Sequence, residues 1–149
     1  MLEIAEQMKS LLEGVDYEIS NLANASALIY DSMDRLNWAG FYILHDGRLK
    51  LGPFQGKIAC TSIPVGKGVC GTAIAQDKTI VVDNVHEFAG HIACDSASNS
   101  EIVIPIHKNG SIYGVLDIDS VAFARFSEDD KKELEKCVKI LENSLENVE

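Results

Sequence analysis

A chain of 149 residues fits one domain of ordinary size, and its 46% hydrophobic and 24% charged content is that of a protein that buries a core, not of a disordered chain. With 23 acidic against 13 basic side chains the formal net charge is −10, which repels phosphate backbones and anionic bilayers, so neither nucleic acid nor membrane is an expected partner. No apolar run approaches the roughly twenty residues that span a bilayer, and MLEIAEQMKSLLEG has glutamates where an export signal needs a basic and then apolar start, so the expected location is the cytoplasm.

Residues 1–36 read as two helices. Leu2, Ala5, Met8, Leu11 and Leu12 recur at helical spacing up to a stop at Gly14. Asp16 is expected to cap a second helix, with a stripe of Ile19, Leu22, Ala23, Ser26, Ala27, Tyr30 and Met33. WAGFYILH, from Trp38 to His45, then meets Asp46-Gly47 before RLKLGPF, the signature of a type I′ hairpin. Gly66, Gly68 and Gly71 lead into a short helix over Val69 to Asp77, and TIVVD follows as a strand.

From Asn84 to Ser100 no period is visible, and unstructured segments of that length in small domains are usually functional. EIVIPIH (Glu101 to His107) and SIYGVLDID (Ser111 to Asp119) pair across Asn109-Gly110 and are expected mid-sheet. The last helix opens at Ser127, with Asp130 in a box-like cap, and presents Leu134, Val138, Leu141 and Leu145. This order predicts an α+β fold in a single domain over residues 1–149: an antiparallel sheet with the helices grouped on one side, of PAS or GAF type.

Four cysteines in a cytoplasmic chain point to packing, metal binding or chemistry, because the cytosol keeps thiols reduced. Cys60, Cys70 and Cys94 lie in or beside the glycine-rich passage and the long loop, whereas Cys137 sits on the apolar side of the last helix and reads as core. Zinc would take His86, His91 and Cys94 with Cys60 or Cys70, but no CxxC or HxxxH pair supports it, and the histidines read better as loop anchors. Thiol redox chemistry needs only two cysteines able to form a disulfide on demand, with Asp95 tending to raise a neighbouring thiol's pKa. Glu101, Asp117 and Asp119 lie at the ends of paired strands, and Asp117 and Asp119, two apart, share a face. Either that face is solvated or the acids line a pocket that binds a cation and holds a proton. Trp38, with Phe41 and Tyr42, reads as core or as an apolar pocket wall.

The strings NWAGFY, CTSIPVGKGVCGTA, VDNVHEFAGHIACDSASNSEIVIPI and GVLDIDS together resemble the free methionine-(R)-sulfoxide reductase family, stand-alone GAF-domain enzymes, from about Asn37 to Phe126. The resemblance implies a GAF-type antiparallel sheet with the N- and C-terminal helices packed on one side. It implies reduction of free methionine-(R)-sulfoxide with Cys94 as nucleophile, Cys60 as resolving cysteine and Cys70 as an auxiliary thiol. Glu101, Asp117 and Asp119 would bind the substrate ammonium and assist its oxygen, with Trp38 and Tyr42 near the methyl group. A thioredoxin-type reductant is the implied partner, with no metal or organic cofactor, and a homodimer is compatible with the sequence. A sensing GAF module is the alternative, but the NKFDE-like motif of cyclic-nucleotide binders is absent.

Overall fold

The computed structural model of the protein describes residues 3–90 and 97–146. Its frame comes from two tight turns. Asp46 and Gly47 have φ of 52° and 75°, and Asn109 and Gly110 have 52° and 81°, the left-handed pairs that a type I′ turn requires. The first turn joins β1 (Leu36–His45) to β2 (Arg48–Gly56) and the second joins β5 (Ser100–Lys108) to β6 (Ser111–Ser120). β6 then lies antiparallel against β1, and the short strands β3 (Ser62–Pro64) and β4 (Ile80–Val82) complete a six-stranded sheet of order β3-β2-β1-β6-β5-β4. Every neighbouring pair is antiparallel.

Alternation along the strands gives the sheet two working faces. Phe41, Ile102, Ile104, Ile106, Leu116 and Ile118 point to one side, where they pack against α1 (Ile4–Leu12), α2 (Glu18–Ser32) and α4 (Glu128–Glu146). Trp38, Tyr42, Val103 and Val115 point to the other, under Val69, Cys70, Ala73 and Ile74 of α3 (Gly68–Gln76). The N- and C-terminal helices thus share one side as expected, but α3 does not. Its apolar residues Val69, Cys70, Ala73 and Ile74 close the second core.

Ser127 and Asp130 form the anticipated capping box: the Ser127 N–H donates to Asp130 at 2.9 Å and the Asp130 N–H donates to Ser127 Oγ at 3.1 Å. Cys137 is wholly buried in the helix-side core, as its position predicted. Three details of the N-terminal half differ from expectation. Residues 33–36 are not helical, since α2 ends at Ser32 and Leu36 already belongs to β1. Asp16 does not cap α2; Tyr17 holds that position, with no side-chain cap bond. Finally, α2 is rotated from the predicted stripe, burying Leu22, Ala25, Ser26 and Ile29 while Ile19, Ala23 and Tyr30 face out. The small pair Ala25 and Ser26 explains the choice: Ser26 Oγ returns to the Leu22 carbonyl at 2.8 Å and reaches the Pro53 carbonyl at 3.2 Å, so the helix lies close upon the sheet.

Two irregularities in strand pairing decide which residues share a face. In the β5–β6 hairpin His107 pairs with Ile112 but Ile106 pairs with Gly114, so Tyr113 is an extra residue in β6. In the β1–β2 hairpin the register shifts between Gly40 and Tyr42, which brings Phe54 opposite Gly40. A Cβ at residue 40 would stand 2.3 Å from Phe54 Cβ and 2.7 Å from its Cα. Gly40→Ala therefore forces β2 outward, and we expect a loss of about 1–3 kcal/mol, read as a lower urea midpoint with native far-UV circular dichroism. A wild-type midpoint would mean that β2 yields freely there.

Candidate active site

The face opposite α1, α2 and α4 carries the acids. Asp119 pairs with Glu101 on one side and with Trp38 on the other; Asp117 pairs with Val103 and Gly40. The bulge at Tyr113 creates this arrangement. Without the extra residue the register would set Glu101 opposite Ile118 and turn it into the helix-side core. With it, Glu101, Asp117 and Asp119 converge on one spot. Glu101 is 7% exposed and Asp117 5%, while Asp119 is half-buried.

Three carboxyl groups so placed cannot all ionise. Burial pushes the Glu101 carboxyl well above its usual range, and the charges of Asp117 and Asp119, with hydrogen bonds shared with both, push it further. A proton is thereby held among the acids. Cys70, third residue of α3, reaches the same spot: its sulfur, one Glu101 oxygen and one Asp117 oxygen all lie within 4.8 Å of one another. Its thiol is hydrogen-bonded to Asp117, and burial, followed by the charges of Asp117, Glu101 and Asp119, keeps it protonated. Three donors at that separation suit a small cation or an ammonium group.

An aromatic wall borders the acids. Trp38 stacks on Tyr42 with ring centres 5.8 Å apart and on Phe54 at 5.1 Å. Phe54 was not singled out from the sequence. Its only signal there is the phase of β2, which the register shift beside Gly40 hides. The wall's two polar tips are engaged with backbone: Trp38 Nε1 donates to the Lys57 carbonyl at 3.2 Å and Tyr42 Oη to the Cys60 carbonyl at 2.9 Å. Tyr42 thus offers the pocket its ring face, while burial and the nearby acids raise its hydroxyl pKa. An apolar surface beside a proton-holding, cation-binding acid cluster is suited to a zwitterion with a thioether-like side chain.

Cys60 is disulfide-bonded, whereas Cys70 and Cys137 are free thiols. Cys94, His91 and Asp95 lie outside the described residues. His86 anchors the loop, as anticipated: its N–H donates to Asn84 Oδ1 and its Nε2 lies 2.8 Å from Asn99 Oδ1. Asn99 in turn bonds the Val121 carbonyl at 2.8 Å, and Asn37 bonds Ser98 Oγ at 2.9 Å. The donors named for zinc are therefore partly engaged, His86 with Asn99 and Cys60 in its disulfide.

The family model described as GAF domain matches residues 10–145. A protein from Escherichia coli (strain K12) named free methionine-R-sulfoxide reductase is 51% identical over 143 residues, covering 96% of this chain and 87% of its own. The structure of fRMsr of Staphylococcus aureus in complex with substrate superposes with a TM-score of 0.91 at 52% identity, over 95% of this chain and 93% of that one. Free methionine-R-sulfoxide reductase from Neisseria meningitidis, also in complex with its substrate, gives 0.94 at 42% identity, over 97% and 87%. The sheet, its helices and this match define a GAF-domain protein. Within that class the chain belongs to the free methionine-R-sulfoxide reductase family, a family of oxidoreductases. Among the described residues no helix is long and apolar enough to cross a membrane.

The state of Glu101 has a consequence for stability. In the unfolded chain this carboxyl loses its proton near 4.5, in the fold only well above that. The stability it contributes is fully present below pH 4.5 or so and is lost as pH rises towards the folded pKa. Glutamine carries no such loss, so Glu101→Gln should gain stability relative to the wild type as pH rises above about 4.5. Urea unfolding across that range measures it; identical pH profiles would mean that Glu101 holds no proton.

Proposed function

We propose that this chain is a single-domain cytoplasmic enzyme that reduces free L-methionine-(R)-sulfoxide to methionine through cysteine chemistry, with a thioredoxin-type dithiol as reductant. The observation that carries the reading is the buried cluster of Glu101, Asp117 and Asp119 beside the Trp38 wall. The α-ammonium of a free amino acid neutralises that cluster, the ring faces of Trp38 and Tyr42 accept the methyl group, and the proton held by Glu101 lies ready for the sulfoxide oxygen.

In this mechanism the sulfur of Cys94 attacks the sulfoxide sulfur. The sulfoxide S–O bond breaks, the oxygen passes to the Cys94 sulfur, which becomes a sulfenic acid with the thiol's proton retained, and the substrate leaves as the thioether methionine. Cys60 then condenses with the sulfenic acid, expelling water, and the dithiol partner reduces the resulting disulfide. That Cys60 is disulfide-bonded supports its reading as the resolving thiol. Cys70, buried and bonded to Asp117, is the auxiliary thiol: it remains protonated and serves the acids before it serves any disulfide.

Two experiments test this reading. Cys94→Ser should release no methionine while folding normally, and Cys60→Ser should release about one methionine per enzyme but fail to turn over with thioredoxin. Stoichiometric release by the first, or normal turnover by the second, would remove the roles assigned to these thiols. The acid cluster also sets specificity. A peptide-bound or N-acetylated substrate presents a neutral amide where the ammonium belongs, leaving buried charge uncompensated, so N-acetyl-methionine sulfoxide should have kcat/KM lower by about a hundredfold or more. Comparable values for the free and acetylated compounds would contradict the ammonium-binding role.

A further inference from the structure

Two ring donors of the aromatic wall are turned towards one short stretch of chain. Trp38 holds the Lys57 carbonyl and Tyr42 the Cys60 carbonyl, the two ends of Lys57-Ile58-Ala59-Cys60, an irregular segment between β2 and β3. None of the four residues is buried. Lys57 is exposed, Ile58 is 91% exposed, and Ala59 and Cys60 are half-buried. Only the Ala59-Cys60 end touches the second core, and neither residue is fully buried there, so apolar contact alone holds the segment weakly although it bears a cysteine. The rings that hold it are the opposite case: Trp38 and Tyr42 are each 2% exposed and stacked on one another, with Phe54 behind.

The disulfide of Cys60 is a further anchor in the oxidised protein. Opening it removes that anchor and leaves the segment to its remaining contacts, among them the hydrogen bonds from Trp38 and Tyr42. We propose that Trp38 and Tyr42 are positioning residues for the resolving thiol, which by holding the Lys57 and Cys60 carbonyls keep the reduced Cys60 sulfur within reach of its partner. The inference rests on the reading of Cys60 given above. In the step concerned, the Cys60 sulfur bonds to the sulfur of the Cys94 sulfenic acid and the S–O bond breaks. The oxygen leaves as water, taking up the Cys60 thiol proton, and no further oxidant is consumed. A thiol on an untethered segment samples more space, so its effective concentration at the sulfenic acid falls and closure slows. Attack on the sulfoxide uses another sulfur and does not depend on this segment's path.

Tyr42→Phe removes one tether while keeping the ring and its stacking. In a single turnover without reductant, methionine release and the loss of free thiols are followed together. Disulfide closure in the variant should slow about tenfold relative to methionine release, with sulfenic acid accumulating for capture by dimedone. A second arm uses no sulfoxide: the reduced protein is closed with diamide, and the same slowing is expected. Trp38→Phe, which removes the Lys57 tether but also alters the wall assigned to the substrate, is read in the diamide arm, where the same slowing is expected, and serves if Tyr42→Phe does not fold. Closure at the wild-type pace in both arms overturns the positioning role. Slowed diamide closure in a protein whose wild type releases no methionine would instead support the tether and refute the proposed activity.

Discussion

Three carboxyl groups brought together on a buried sheet face are the constraint around which this molecule is built. In water each would ionise independently; here burial and mutual repulsion make them share a proton. Such a cluster destabilises the fold that contains it, and the compensation lies across the sheet, where the same strands turn Ile102, Ile104, Leu116 and Ile118 into the core beneath α1, α2 and α4. The two faces are thus linked residue by residue: Ile118 stands between Asp117 and Asp119 in sequence and fixes both by being buried itself.

The smaller core follows from the same constraint. Acids packed under α3 need a neighbour that neither adds negative charge nor admits bulk water. The stacked rings of Phe54, Trp38 and Tyr42 meet that need on one flank. Cys70 meets it on another, as a neutral thiol hydrogen-bonded to Asp117. The polar tips of the two larger rings are paired with carbonyls of the segment that carries Cys60, so one wall borders the acids and holds that segment as well.

Much of this was legible in the sequence where local rules suffice. Asp46-Gly47 and Asn109-Gly110 demanded left-handed turns, Ser127 and Asp130 announced a helix start, and the spacing of Asp117 and Asp119 placed them on one face. Other features depend on contacts that no local pattern encodes. Both sides of α2 carry apolar residues, and only the closeness allowed by Ala25 and Ser26 selects the buried one. The opposite-face position of α3 follows from what the sheet leaves uncovered. A ring nitrogen or hydroxyl reaching a distant carbonyl has no signature at all, so Tyr42 read as a pocket wall and its bond to Cys60 was invisible. The resemblance grouped Glu101 with the two aspartates, but its register opposite Asp119 had no local signature, because counting back from the Asn109-Gly110 turn pairs Glu101 with Ile118 until the extra residue is known.

That extra residue, Tyr113, bears on how such a protein can change over generations. Substitutions in β6 alter one position at a time, whereas gain or loss of a single codon near the bulge exchanges faces for everything on one side of it, sending an acid into the hydrocarbon core and an isoleucine into the pocket. The hairpin's length is therefore far less free to drift than its composition. Variation that preserves the chemistry must accumulate in side chains and in the outer loops, while the count of residues between the Asn109-Gly110 turn and the acids stays fixed.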